Sequence, residues 1–535
     1  MFVHAIHELI TRREREMVGT FYSIIPAIIM LLLVVLTRKV LLSLGAGIII
    51  GALFIHQFHI GGTLKEIWAV FAEIFYHDGA WDTGNLLLLL FLLLLGVMTA
   101  LLQATGGSRA FGEWASKRIK TRTGAQLMTV VLGVIIFIDD YFNALAVGQI
   151  ARPLTDKHRI SRAKLAYFID STSAPVTVLA PISSWGAYII GILGGLFAVN
   201  NITDYKPLEA FLEMIPYNFY AIGALVLIFV VACFHFDFGP MRTHERRALH
   251  DGKLVSDTGK KIAGDLTEVF MPHKKGRVFH LFVPIIILVL VTIVSMFVTG
   301  YMAREECAGF LQIFANTNVN VSLAIGGLAA VASAFAFYAA LPRPKASAGK
   351  IVWEGIKTML PAIYILLLAW MIGGIIGSLK TGEYLAHIVE NANISPALLP
   401  FIFFLIASIM SLATGTSWGT FGIMLPIAVQ ISAVTDINLL IPTLSAVLAG
   451  SVFGDHCTPI SDTTILSSTG AGAHHIDHVI TQLPYAFIAA FSSAVGYLVV
   501  GFTESLMLSF ASAMLAIIVI VLLQKFIRKT SPVME

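Results

Sequence analysis

Asp139 and Asp140 stand side by side behind eight apolar or glycine residues in the stretch VLGVIIFIDDYFNALAVG. A carboxylate near the centre of a bilayer costs roughly 2.5–3.5 kcal/mol on insertion scales, so two adjacent ones in such a run point to cation coordination or proton carriage, with Asn143 as a neighbouring ligand. The rival reading is that they cap a half-helix, because Asp is favoured at helix N-caps. Capping accounts for one acid more readily than for two. A second cluster, YFIDSTSAPVTVLAPISSWGAY at 167–188, offers Asp170, Ser171, Thr172, Ser173, Thr177, Ser183 and Ser184, with Pro175 and Pro181 to break a helix. Carbonyls freed at such a break, beside hydroxyls and a carboxylate, make a hard oxygen cage suited to a dehydrated alkali cation.

A third cluster, GSVFGDHCTPISDTTILSSTG at 450–470, supplies Asp455, His456, Thr458, Ser461, Asp462, Thr463, Thr464, Ser467 and Ser468. Ser, Thr and Gly also pack membrane helices together, but packing does not require two acids and a histidine. Na+ is therefore expected at Asp139, Asp170, Asp455 and Asp462. The fourth cluster, SLATGTSWGTFGIMLP at 411–426, carries no charge. Gly415 and Gly419 permit turns that other residues resist, while Thr414, Thr416, Ser417 and Thr420 can satisfy the exposed peptide groups. As a hairpin tip it could offer neutral oxygens to a cation or peptide donors to a carboxylate. His456 beside Asp455 is a candidate proton-sensitive group, with a structural hydrogen bond as its equal rival. The run His474, His475, Asp477, His478 reads as a solvated connection.

The elements that must hold these residues are set by composition. Of 535 residues, 57% are hydrophobic and 13% charged, and mean hydropathy is +0.84. A soluble domain carries about 25% charged residues, so the fold class expected is an all-α polytopic membrane protein. Hydropathy places spans near 21–36, 40–55, 86–102, 219–234, 279–299, 320–341, 358–379, 482–502 and 505–524. The regions 127–199 and 397–470 are apolar but interrupted by the clusters above. Lys and Arg mark cytoplasmic loops, which puts 235–278, Arg38 and Lys39, Arg109–Arg122, Arg152–Lys164, Arg343–Lys357 and Lys525–Lys529 inside. Loops 56–85, 200–218, 300–319 and 380–396 then lie outside.

With those sides fixed, 127–150 begins and ends inside and 397–433 begins and ends outside. Two re-entrant hairpins, interrupted helices and an inverted-topology repeat follow. Pro175, Ser183, Ser184 and Gly186 recur as Pro459, Ser467, Ser468 and Gly470 at a common offset of 284. The expected division is an N-terminal segment 1–20, a first transmembrane half 21–234, a basic cytoplasmic linker 235–278, a second half 279–502, and an extra C-terminal helix and tail 503–535. Arg12, Arg13, Glu14, Arg15 and Glu16 precede a stretch from Phe21 to Leu36 that reads as retained, not as a cleaved signal.

The net charge of +3 sits in loops and implies no nucleic-acid partner. Cys233, Cys307 and Cys457 are too far apart in sequence for a disulfide framework or zinc motif. An intramembrane aspartyl protease would want G-x-G-D, whereas Val452, Phe453, Gly454, Asp455 lacks the first glycine, and neither H-E-x-x-H nor G-x-S-x-G occurs near a span. No catalytic residue is assigned. A channel is disfavoured because interrupted inverted repeats serve alternating access.

GTSWGTFGIMLP at 415–426 and GSVFGDHCTPISDTTILSS at 450–468 resemble the signature stretches of the NhaC-type sodium/proton antiporter family, and FIDDYFNALAVG with DSTSAPVTVLAPISSWG resembles its first half. The likeness spans roughly residues 20–525. It implies a multi-pass transporter of the bacterial inner membrane, within the wider ion-transporter superfamily, in which one domain moves against a scaffold. It implies antiport of transported Na+ and H+ with no cofactor and no enzyme activity. The expected partners are the lipid bilayer and the two ions, with a small organic solute and a second copy in a homodimer left open. Since members of that family also carry amino acids, malate or lactate, the alternative is a sodium-coupled amino-acid or carboxylate carrier, with the tip from Gly415 to Thr420 on the organic carboxylate.

Overall fold

Leu- and Ile-rich runs satisfy every backbone group within their own helix, the arrangement a bilayer demands. In the computed structural model, residues 17–530 are described, apart from 38, 78, 138, 182, 201, 204, 258–272, 304–312, 314–316, 343–345, 382 and 385–394. Arg12 to Glu16, Lys260, Lys261, Cys307 and much of the expected external loops 300–319 and 380–396 lie outside the described residues.

The first helices are α1 (Ile25–Thr37) and α2 (Val40–Ile55), then α3 (Ile60–Glu73) and a two-residue ladder of β1 (Tyr76–His77) on β2 (Ala80–Trp81). Helix α3 was not anticipated. It leaves Ile60, Leu64 and Trp68 exposed on its surface, as an interfacial helix does. Next come α4 (Thr83–Ala104), α5 (Gly107–Arg118), α6 (Arg122–Ile135), α7 (Asp140–Lys157), α8 (Arg162–Leu179), α9 (Ser184–Val199), α10 (Pro207–Met214), α11 (Phe219–Phe234) and α12 (Gly239–His250). The second half holds α13 (Phe279–Met302), α14 (Val319–Ala339), α15 (Ala348–Ser378), α16 (Leu399–Thr414), α17 (Ser417–Thr435), α18 (Leu440–Cys457), α19 (Asp462–Ala471), α20 (His475–Thr503) and α21 (Leu506–Thr530). Among the described residues, nine helices are long and apolar enough to cross a membrane, and the chain is an all-α polytopic membrane protein.

Each hydropathy span coincides with a helix, although α15 begins ten residues before the expected 358. Both interrupted regions are helix–break–helix. The α6–α7 break falls between Ile135 and Asp140, and the α16–α17 break at Gly415 and Thr416. Gly415 takes φ +76°, and a Cβ there would come within 2.6 Å of Ile460, so the turn needs glycine.

The order helix, break, helix, helix, break, helix occurs twice, as α6–α9 and as α16–α19. The offset of 284 does not align them. Pro175 lies inside α8 whereas Pro459 lies in the break before α19, and Ser183 caps α9 whereas Ser467 is within α19. Helix starts correspond instead as Asp140 with Ser417, Arg162 with Leu440 and Ser184 with Asp462, at offsets of 277, 278 and 278. The serine caps Ser183 and Ser461 then match. The recurring Pro and Ser residues were matched by letter and not by their place in a helix.

One face of the fold is α4 packed on α14 and α15, with α13 beside α14 and α2 beside α15. Against it lie the two broken sets, which α11 and α20 flank. A close crossing joins the sets. At Gly148 on α7, a Cβ would fall 2.5 Å from the Gly470 carbonyl on α19.

Candidate functional site

A helix N-terminus leaves about four N–H groups without intrahelical partners. Four such ends contribute to one region: Asp139 and Tyr141 at the start of α7, Ser184 at α9, Thr416 and Trp418 at α17, and Ile460 and Asp462 at α19. These residues line a cavity of about 450 Å³, bordered also by Asn85 and Leu88 of α4, Val319 and Asn320 of α14, and Trp370 and Gly373 of α15. Among the described residues, none that lines the cavity is Lys, Arg or His.

The carboxylates are held as follows. The Asp139 carbonyl accepts the Asn143 N–H at 2.9 Å, opening α7. Its carboxylate accepts the Ser184 hydroxyl at 2.9 Å, and the Asp140 carboxylate accepts the Trp185 indole N–H at 3.0 Å through Oδ1. Oδ2 of Asp140 is buried without a hydrogen-bond partner among the described residues. Asp462 opens α19 and accepts the Tyr141 hydroxyl at 2.8 Å. Asp455, in the last turn of α18, accepts Ser417 at 3.2 Å and Thr463 at 3.4 Å. Both acids at 139 and 140 therefore begin a helix, and each also has a side-chain donor from α9.

Each helix break joins a C-terminal end to an N-terminal one. Their partial charges, about −0.5 and +0.5, cancel to first order. The carboxylates are thus the main charge of the cavity.

Asp170 is differently placed. It is fully buried and accepts Ser467 at 3.1 Å, Thr464 at 3.3 Å and Gln482 at 2.6 Å, with His478 Nε2 at 3.1 Å. Two carboxylate oxygens already engaged by four partners leave little room for a metal ion. Nearby, His456 Nδ1 lies 2.9 Å from the Tyr220 hydroxyl, and its carbonyl accepts Gln482 at 3.0 Å.

The reading of 474–478 as a solvated connection is corrected here. His478 is 0% exposed. His475 Nε2 reaches the Pro459 carbonyl at 2.7 Å, and His474 Nε2 reaches the Ser256 carbonyl at 3.2 Å. The polar letters of the run suggested solvent, but each ring faces a carbonyl or carboxylate brought in from elsewhere in the chain.

Most of the expected hydroxyl ligands are engaged. Thr172 and Ser173 bond to carbonyls of their own helix, as does Thr414 to Met410. Ser171 is buried on α8. Ser183 caps α9 through the Gly186 N–H, and Ser461 caps α19 through Thr464. Ser468 bonds to the Ile465 carbonyl. Thr420 bonds to the Thr416 carbonyl and Gly419 lies in the first turn of α17. Asn143 donates to the Gly133 and Ile136 carbonyls at 2.6 and 2.7 Å, closing the end of α6. Thr458 has a buried hydroxyl without a partner among the described residues. Among those residues no three His, Cys, Asp or Glu gather as a metal site.

Sequence reasoning missed Trp185, Trp370, Trp418, Tyr141, Gln482, Asn85 and Asn320. Only Trp185 and Trp418 carried a signal, each following a serine at a break. The two rings lie 5.7 Å apart, edge to face, and link α9 to α17.

The profile of the family described as "Na+/H+ antiporter family" matches residues 176–502. An uncharacterized protein of Haemophilus influenzae is 46% identical over 94% of this chain and 95% of its own. An uncharacterized Na+/H+ antiporter of the same organism is 34% identical over 28% of this chain and 31% of its own. The malate-2H+/Na+-lactate antiporter of Bacillus subtilis is 33% identical over 28% of this chain and 31% of its own. The chain belongs to the Na+/H+ antiporter family and is a multi-pass, sodium-coupled membrane transporter, not an enzyme.

Proposed function

We propose that the protein is a sodium/proton antiporter of the bacterial inner membrane, exchanging cytoplasmic sodium for external protons. The observation that carries this reading is the pair Asp139 and Asp462 at two helix starts on one cavity that, among the described residues, has no basic side chain. Sodium binds by exchanging water for carboxylate, hydroxyl and carbonyl oxygens, and a proton neutralises the same carboxylate. One site that accepts either ion but not both couples the two movements. Asp140 and Asp455 are buried in the same region. Asp170 with His478 serves as a fixed buried pair that holds α8 against α20.

The cavity borders the first turns of α4 and α14. The charge rule puts those ends outside, which supports an outward-facing arrangement and an inverted repeat with hairpins at α6–α7 and α16–α17.

In proteoliposomes containing only sodium as cargo, an imposed sodium gradient should drive protons the opposite way. A sodium gradient that moves no protons until an organic solute is added would overturn this reading. That second reading, a sodium-coupled carrier of an organic solute, is favoured by one observation. The cavity of about 450 Å³ falls within the roughly 300–1,000 Å³ typical of small-molecule sites.

A further inference from the structure

Sodium prefers hard oxygen ligands and needs only the space of its first shell. The cavity contains something else. Tyr141, Trp370 and Trp418 line it together with Asp139 and Asp462. Trp418 also packs on Tyr188, with ring centroids 4.8 Å apart, so its place is fixed by the α9–α17 contact. An aromatic wall beside carboxylates suits an organic cation, because a ring face attracts an ammonium group while the acid neutralises it.

An organic anion would meet the reverse. Asp139 and Asp462 would repel a carboxylate, and among the described residues the cavity lining holds no Lys, Arg or His to offset them. The N-terminus of α17, with Thr416 making no side-chain cap, was the expected cradle for a carboxylate. Yet the Ser417 hydroxyl at that end is already given to the Asp455 carboxylate at 3.2 Å. The end of the helix thus already faces a negative group.

We propose that this cavity accepts a small organic solute bearing an ammonium group, the charged end between Asp139 and Asp462 and against the Trp370 ring, its hydrocarbon part against Trp418. The proposal rests on the transporter reading and deepens it by naming the class of solute. Sodium and the ammonium group then compete for the same carboxylates.

The test is direct binding to the purified full-length protein in detergent, because a permeant amine collapses pH gradients without any carrier. Calorimetry with n-butylammonium, butyrate and sodium chloride at neutral pH should show binding of n-butylammonium, displacement of it by sodium, and no binding of butyrate. Trp370→Leu should weaken n-butylammonium by roughly tenfold, the scale of a desolvated cation–π contact, while Trp370→Phe should recover most of it. Tyr141→Phe, which keeps the ring, guards against a misfolded Trp variant. Butyrate binding as tightly as n-butylammonium would overturn the proposal. So would sodium binding in a protein indifferent to n-butylammonium. Solute-free sodium/proton exchange in proteoliposomes is scored separately. Its absence alongside n-butylammonium binding would remove the antiporter reading and leave the ammonium site in place.

Discussion

Ser184 donates its hydroxyl to the Asp139 carboxylate at 2.9 Å, joining the first residue of α9 to the residue just before α7. In the other broken set, Ser417 at the start of α17 donates to Asp455 at 3.2 Å. Each set thus presents a carboxylate steadied by a serine that begins a helix.

Asp139→Asn and Asp455→Asn keep size and much of the hydrogen bonding but remove the charge that offsets sodium dehydration. Each variant should reach the membrane folded and lose sodium-dependent transport. Isotopic sodium uptake into proteoliposomes checks this. Normal uptake by both would reduce the two acids to structural groups.

The pH dependence has a definite sign. A protonated carboxylate cannot ligate sodium, so apparent sodium affinity should fall as pH falls, approaching about tenfold per pH unit where one proton is displaced per ion. Ser184→Ala should leave that slope intact. An apparent affinity independent of pH would contradict a shared site.

Asp170 calls for a different outcome. Replacing it with Ala strands His478 and Gln482 in a fully buried pocket, a loss on the scale of about 3–5 kcal/mol for a broken buried pair. The melting temperature in detergent should drop sharply for Asp170→Ala and less for Asp170→Asn. Full stability with lost sodium binding would instead make Asp170 a cation ligand.

On the face that the charge rule places in the cytoplasm, Lys164 is fully buried between Asp237 at 2.7 Å and Glu245 at 3.2 Å, and Glu245 also pairs with Arg122. Glu245→Ala should free α12 from α6 and α8. Limited proteolysis near Lys253 should then accelerate, and cleavage at the wild-type rate would argue against that latch.

Sidedness can be read by labelling single cysteines. Lys253→Cys, on an exposed side chain, should react only from the cytoplasm, and Trp81→Cys, 66% exposed, only from outside. The neighbourhood of Glu305, which also belongs outside by charge, lies beyond the described residues. Reaction of both cysteines from one side would remove the inverted arrangement.

The long spans were legible because their signal is local: an apolar run such as 219–234 is a helix whatever its neighbours, and α11 has those bounds. The breaks were legible for the same reason, through Asp139, Pro181 and Gly415. The grouping of the acids was not. Asp139 and Asp170 are close in sequence, yet Asp139 faces the cavity while Asp170 is turned toward α19 and α20. That separation depends on which side of α8 packs on which helix, and neither spacing nor residue type encodes it. Trp370 sits in an ordinary hydrophobic run, and only the crossing of α15 past the breaks brings it to Asp462.

Gly148 and Gly470 leave no room for a methyl group between α7 and α19. In a library of single substitutions these two sites should rank among the least tolerant in the protein even though neither touches an ion. The reason is mechanical: an inserted side chain would wedge the helix that starts at Asp140 away from the one that starts at Asp462, separating two acids that neither glycine contacts.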